Sequence, residues 1–338
     1  MQLEVYEGKC VHSKFLKAGC TKCLDSCPQN SITISDRVIA VNDNCDLCGI
    51  CSAYCLENAI KPVFNISSFN FEPNNLFISC ELFPEKDSSL FSCVHALGLK
   101  ELTYLHEQGI REIFLAPADC NNCQRNSAND ESKNQLKQLN SLLKSKNQDG
   151  INFNFVTDKK SFQSIKNSHQ KAIELQNMSR RSFFKWGLKQ AVELKHKEEI
   201  TELNLVNIAT VSKIKPFAIA IDIKKCTACN DCLNICPHKA IIEFVANENS
   251  LDLTTASKVN YYYQINAQYC TGCKLCEDIC EENAINIANW QQQDQNNIEI
   301  NKQKCQICGV PFNTIATTSS VCLICKQKQS KFGLYQIM

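Results

Sequence analysis

Three short apolar runs, Leu76–Ile78, Ile113–Ala116 and Phe153–Val156, alternate with stretches of helical length. Each predicts a strand. Between the first two, Leu97, Leu102 and Leu105 form a helix-like stripe within Ala96–His106, which Gly109 ends before the strand IREIFLA. Strand–helix–strand alternation predicts a small parallel α/β unit over residues 63–177. Further on, Phe184, Leu188, Ala191 and Val192 share a helical face, so residues 178–215 read as a basic amphipathic linker helix that docks on a domain or partner. The run Tyr261–Tyr263 predicts one more strand and its packing.

Composition adds chemistry to this pattern. The chain has 338 residues, enough for two to three domains, and a formal net charge of +1, so no basic surface points to nucleic acid. With 44% apolar and 21% charged residues it is not a disordered composition. No stretch approaches the roughly 18 apolar residues a membrane span requires, and residues 1–20 lack the apolar core of a secretory signal. A soluble, cytoplasmic protein is therefore expected. Glycine spacing excludes GxGxxG, the P-loop and GxSxG. The 24 cysteines sit in a chain too long to need disulfide staples, so metal ligation is the better reading.

Those cysteines are grouped. Three groups follow C-x2-C-x2-C-x3-C without deviation: Cys45, Cys48, Cys51, Cys55; Cys226, Cys229, Cys232, Cys236; and Cys270, Cys273, Cys276, Cys280. The spacing identifies iron–sulfur ligation, with structural zinc as the plainer alternative. Three thiolates two residues apart on a tight loop wrap one cubane, while the fourth points away. The segments CTACNDCLNICPHKAI and CTGCKLCEDICEENAI are similar to bacterial two-cluster ferredoxins, a resemblance covering residues 1–62 and again about 216–290. It implies crossed ligation, with one 4Fe-4S cluster on Cys226, Cys229, Cys232 and Cys280 and a second on Cys270, Cys273, Cys276 and Cys236. The N-terminal copy departs from the pattern: CTKCLDSCP supplies Cys20, Cys23 and Cys27, but Lys17 stands where a first cysteine belongs, and Cys10 is the available substitute. This extended C-x9-C-x2-C-x3-C-P resembles variants in ferredoxin-type subunits of respiratory oxidoreductases. It implies a cluster on Cys10, Cys20, Cys23 and Cys55, and a partner on Cys45, Cys48, Cys51 and Cys27; a 3Fe cluster or a non-cysteine ligand also fits the Cys10 position.

The middle segment carries Cys80, Cys93, Cys120 and Cys123, three of them at or just after apolar strands, where parallel sheets hold ligands. Together with LAPADCNNCQRN they resemble the iron–sulfur delta subunit of methyl-viologen-reducing hydrogenases and related heterodisulfide-reductase partners, which implies a 2Fe-2S cluster. Another metal, a redox dithiol or inert buried cysteines are the alternatives. A thioredoxin-like CxxC is disfavoured because Asn121 and Asn122 bring no positive charge to lower a thiol pKa. His95 and His106 read as surface or packing residues. Residues 158–200 carry ten Lys and Arg against five acids. They include MSRRSFFKW, which resembles a twin-arginine export motif but is internal and lacks a following apolar core. In the tail, Cys305-x2-Cys308 and Cys322-x2-Cys325 have the knuckle spacing of a zinc ribbon, with rubredoxin-like iron as runner-up.

The expected architecture is α+β and multidomain: ferredoxin-like units at 1–62 and 216–295 flank an α/β domain at 63–177 and the linker at 178–215, and a zinc-ribbon-like tail occupies 296–338. Four 4Fe-4S clusters, a 2Fe-2S cluster and a zinc ion would use all 24 cysteines and move the formal charge from +1 to about −11. The expected function is relay of single electrons between a dehydrogenase- or hydrogenase-type enzyme and an acceptor. The protein would not be an enzyme by itself, since no flavin, nicotinamide or molybdopterin motif is present. A maturation or regulatory factor for a redox enzyme complex is the alternative.

Overall fold

The computed structural model describes residues 3–61, 66, 74–83, 90–125, 131–177, 213–247, 259–315 and 320–332. The linker face of Phe184, Leu188, Ala191 and Val192 and the MSRRSFFKW segment lie outside the described residues. Two compact units divide between Ser212 and Lys213, with Lys17–Cys20 grouped with the second. Among the described residues no helix is long and apolar enough to cross a membrane.

The first unit opens with cysteine-bearing loops. Short helices α1 (Val11–Lys14) and α2 (Lys22–Asp25) precede the hairpin of β1 (Ile32–Ser35) and β2 (Val38–Val41). Its two-residue turn places Asp36 and Arg37 at φ 48° and 71°, the double left-handed geometry that matches strand twist. Helix α3 (Ile50–Tyr54) follows and is buried along its whole length. The chain then returns to its start: Val5 bridges Ile60, with Tyr6 N donating to Ala59 O at 2.7 Å and Lys61 N to Glu4 O at 3.0 Å. Ile32, Ile39 and Ile60 pack here among Cys10, Cys23 and Cys51.

The same unit continues into a parallel sheet of order β4-β3-β5-β6, built from β3 (Asn75–Cys80), β4 (Leu90–Phe91), β5 (Glu112–Ala116) and β6 (Asn152–Phe155). The three expected strands are β3, β5 and β6. Between strands run α4 (Leu99–Glu107) and α5 (Glu131–Lys144), and α6 (Lys159–Asn177) follows the sheet. Strand β3 is buried from Leu76 onward, because helices cover both faces of a parallel sheet. Phe77 and Phe114 stack at 4.7 Å on one face, where α6 lays Phe162 and His169 against them. Helix α4 ends at Gly109, whose φ of +84° suits glycine, and its N-terminus is held by Gly98 N donating to Glu101 Oε2 at 3.0 Å.

In the second unit β7 (Ile214–Ile221), α7 (Asp231–Ile235), β8 (Ile241–Asn247), β9 (Val259–Ile265), α8 (Leu275–Asp278) and β10 (Ile285–Gln292) follow in order. The outer strands β7 and β10 pair antiparallel from Ile285↔Ile221 to Gln292↔Ile214, and β8 pairs with β9. The tyrosine run lies in β9, with Tyr263 buried. Strand β7 begins two residues before the position expected for this unit. Beyond residue 295 the chain does not form a separate appendage. Strand β11 (Asn297–Lys304) hydrogen-bonds to β9, β12 (Pro311–Thr314) folds back on β11, and α9 (Leu323–Phe332) closes the chain, giving a sheet of order β12-β11-β9-β8.

Candidate metal centres

Four segments repeat one turn: CPQNSI from Cys27, CLENAI from Cys55, CPHKAI from Cys236 and CEENAI from Cys280. The fourth residue of each is left-handed, with φ of 48° at Asn30, 52° at Asn58, 53° at Lys239 and 48° at Asn283. Asparagine is the non-glycine residue that tolerates this region best, so three copies carry it. The next amide then turns onto the cysteine sulfur: Ser31, Ala59, Ala240 and Ala284 N each donate to the preceding cysteine Sγ at 3.3 Å. Each of these four sulfurs thus has a backbone amide donor.

The loops ahead of these turns share a second feature. Leu47 and Gly49, Ala228 and Asn230, and Gly272 and Lys274 are left-handed at matching positions of the three regular cysteine groups. The pair curls the chain tightly between successive cysteines. Around Cys20 and Cys23 none of the described residues has this conformation; α2 starts at Lys22 instead. The irregular spacing Cys10, Cys20, Cys23 thus goes with a different backbone path. Cys10 and Cys23 are buried and Cys20 is half-buried.

The sulfurs act on one another electrostatically across loops. Burial, then the sulfurs of Cys226, Cys229 and Cys280, pushes Cys232 up to about 12. Cys226 is likewise raised by burial, with Cys280 contributing. Burial raises Cys276 above the ordinary thiol range, with Cys270, Cys273 and Cys236 adding to it. Each fourth cysteine of the second unit therefore lies by the other loop's sulfurs. In the first unit burial also raises Cys51, followed by Cys48, Cys27, Cys23 and Cys45. Raised values mark buried thiols that need a compensating cation to ionise.

The middle cysteines draw on separate elements. Cys80 ends β3, Cys93 follows β4, and Cys120 and Cys123 flank a turn after β5 in which Asp119 accepts from Asn121 N. Cys80 Sγ lies 3.8 Å from Ser92 O. Burial raises Cys93, with Cys80 and Cys48 adding to it, and raises Cys120, with Cys80 and Cys123 adding to it. Cys80 is thus the common neighbour. His95 and His106 are buried, and His106 Nε2 meets Asp149 O at 2.9 Å, a packing role for that ring.

The tail cysteines are the tightest set. The sulfurs of Cys305, Cys308, Cys322 and Cys325 all lie within 4.8 Å of one another, and among the described residues no other group of histidine, cysteine or carboxylate ligands is drawn together in this way. Cys308 and Cys322 Sγ are 3.8 Å apart, the separation expected when four thiolates at roughly 2.3 Å surround a tetrahedral ion. The Cys322 and Cys308 amides hold the Cys305 thiol at about 6, with Cys322 N 3.3 Å from its sulfur. Burial and the other three sulfurs push Cys325 up to about 12.

Two cations were not singled out from the sequence, and both adjoin cysteine segments. Lys100 Nζ donates to Ser52 O at 3.0 Å, Cys55 O at 3.1 Å and Asn58 Oδ1 at 2.9 Å. Arg125, two residues after Cys123, donates from Nε to Asp46 Oδ2 at 2.5 Å, from Nη1 to Ser92 O at 2.6 Å and from Nη2 to Glu81 Oε1 at 2.6 Å. The only sequence signal for Arg125 is its place in LAPADCNNCQRN; Lys100 has none, being one of several polar positions in an amphipathic helix.

Residues 263–286, which contain Cys270, Cys273, Cys276 and Cys280, match the family model of the 4Fe-4S binding domain. No curated protein matches the chain. The chain therefore carries a ferredoxin-type iron–sulfur site.

Proposed function

We propose that the protein is an electron-transfer subunit that relays single electrons between a redox enzyme of dehydrogenase or hydrogenase type and an acceptor, and is not a catalyst by itself. On this reading the chain is built from two two-cluster ferredoxin-like units, an α/β domain and a zinc ribbon. Four 4Fe-4S clusters are held by Cys10, Cys20, Cys23 and Cys55; by Cys45, Cys48, Cys51 and Cys27; by Cys226, Cys229, Cys232 and Cys280; and by Cys270, Cys273, Cys276 and Cys236. Bound there, such clusters supply one-electron reduction and oxidation. The cysteines saturate the iron and leave no coordination position for a substrate. Cys80, Cys93, Cys120 and Cys123 hold a 2Fe-2S cluster, which suits sulfurs spread over several elements around Cys80. The tail set suits one zinc ion, whose loss would unfold the knuckles.

The observation that supports the reading is that in the second unit each fourth cysteine bears electrostatically on the other loop, Cys280 on Cys226 and Cys232, and Cys236 on Cys276. Crossed loops hold two redox sites close together within one small fold, and proximity is what a relay needs. The test is anaerobic reconstitution with iron and sulfide followed by electron paramagnetic resonance. Cys236→Ser should damage the cluster of Cys270, Cys273 and Cys276 and leave that of Cys226, Cys229 and Cys232 largely intact. The opposite pattern, or two rather than four cubane signals in the unaltered chain, would refute it. Cys308→Ser should release zinc while the visible spectrum of the clusters stays unchanged.

A further inference from the structure

The first unit contains a joint between its cysteine loops and its parallel sheet, and three contacts form it. At Gly98 an added Cβ would stand 2.4 Å from Ala53 O, so the start of α4 sits directly on the backbone of α3. Lys100, two residues further along, is 4% exposed and is bound to Ser52, Cys55 and Asn58. The turn Val94–Ala96, immediately after Cys93, packs on α3. Helix α3 lies between Cys48 and Cys55, so the joint brings Cys93 to the Cys45–Cys55 loop rather than to some neutral surface.

Arg125 occupies the centre of this joint. Its side chain is 7% exposed and reaches Asp46, Glu81 and Ser92. Its own amide donates to Cys123 Sγ at 3.4 Å. Asp46 follows Cys45, Glu81 follows Cys80 and Ser92 precedes Cys93. One guanidinium therefore touches the chain next to a cysteine of the N-terminal loop and next to two of the α/β domain's cysteines, while its backbone binds a third. Burial opposes its charge, but Asp46 and Glu81 hold its pKa above the ordinary arginine value. A buried cation held between two groups of thiolates stabilises extra negative charge on either one, and in a low-dielectric joint the effect reaches both.

We propose that the sites of Cys27, Cys45, Cys48 and Cys51 and of Cys80, Cys93, Cys120 and Cys123 exchange electrons directly with each other, and that Arg125 is the positioning residue whose charge sets the potentials of both. The proposal rests on the reading that both sites hold iron–sulfur clusters. It adds which of the four cubane sites adjoins the α/β domain and through which residue. In each exchange the cluster bound at one site would lose one electron and the cluster bound at the other would gain it, with no proton or further reactant required.

The experiment is a mediated redox titration of the full-length protein, reconstituted with iron and sulfide and followed by electron paramagnetic resonance. Cys51→Ser and Cys93→Ser identify the two signals. Arg125→Gln removes the shared cation, so both signals should become harder to reduce by at least tenfold in equilibrium constant, about 59 mV for one electron, while the other cubane signals stay in place. Arg125→Lys keeps the charge and should restore both potentials. Glu81→Gln, at a side chain 35% exposed and so safe for folding, leaves Arg125 less neutralised and should move both signals the opposite way. If Arg125→Gln and Glu81→Gln each shift one signal alone, or neither, the proposal is overturned. Absence of any signal assignable to Cys93 in the unaltered chain would overturn it together with the cluster reading of the α/β domain, whereas two present but independent signals would overturn the coupling only.

Discussion

The loops Cys45–Cys55 and Cys270–Cys280 wrap in the same way and are supported differently. Each has two left-handed residues between its first and third cysteines and ends in a turn whose amide meets the fourth cysteine's sulfur. The second loop is fastened by its own fold: Gly272 lies against Phe217 of β7, Glu277 accepts from Ile287 N of β10, and those two strands form a long ladder. In the first unit the corresponding pairing has shrunk, among the described residues, to the bridge Val5↔Ile60. There Gly98, Lys100 and Arg125 of the α/β domain hold the loop instead. The wrap belongs to the local sequence, and the support does not; where strands are short, a neighbouring sheet takes over their work.

The comparison is broken most sharply at Lys100. Lys100→Met leaves Ser52 O, Cys55 O and Asn58 Oδ1 without their buried cation, a loss of about 3 kcal/mol. Urea unfolding should show the first unit's transition moved to lower denaturant and the second unit's unchanged. Lys100 also counters the upward push that burial gives the Glu101 carboxyl. Without it the carboxyl takes up its proton at still higher pH, so the destabilisation should be smaller in acid, where Glu101 is neutral, and grow as pH rises.

Gly272→Ala tests the other support. A Cβ there would stand 2.3 Å from Phe217 on a backbone at φ +65°, so strain and overpacking together should cost about 2–3 kcal/mol, this time in the second unit's transition alone. The smallest effect concerns the shared turn. Lys239 is exposed and is the one left-handed residue of the four turns that is not asparagine. Lys239→Asn should stabilise the second unit by about 0.5 kcal/mol, visible as a small rise in its midpoint.

The regular loops were legible because their information is local: cysteine spacing and the following Asn-Ala-Ile or Lys-Ala-Ile are readable a few residues at a time. The strands β3, β5 and β6 coincide with the apolar runs within a residue or two, and Gly109 ends α4 as its position implies. What the sequence did not reveal depends on distant partners. Strand β4 has two residues, too few for a pattern. Arg125 takes its meaning from Asp46, which is 79 positions away, and the pairing of β11 with β9 links a polar stretch to a tyrosine run across a cysteine loop. No window along the chain contains both halves of such a contact.

That last pairing bears on what covers the edge of β9. Strand β9 carries three consecutive tyrosines in a segment of high strand propensity, and an open edge there would be a template for a second chain. Strand β11 occupies that edge, and β12, charged neighbours such as Lys302 and Lys304, and the knuckle of Cys305 follow it outward. The C-terminal cysteine pairs thus anchor a protective hem. A chain cut before residue 297 would keep every cysteine through Cys280 and lose the strand that covers the β9 edge.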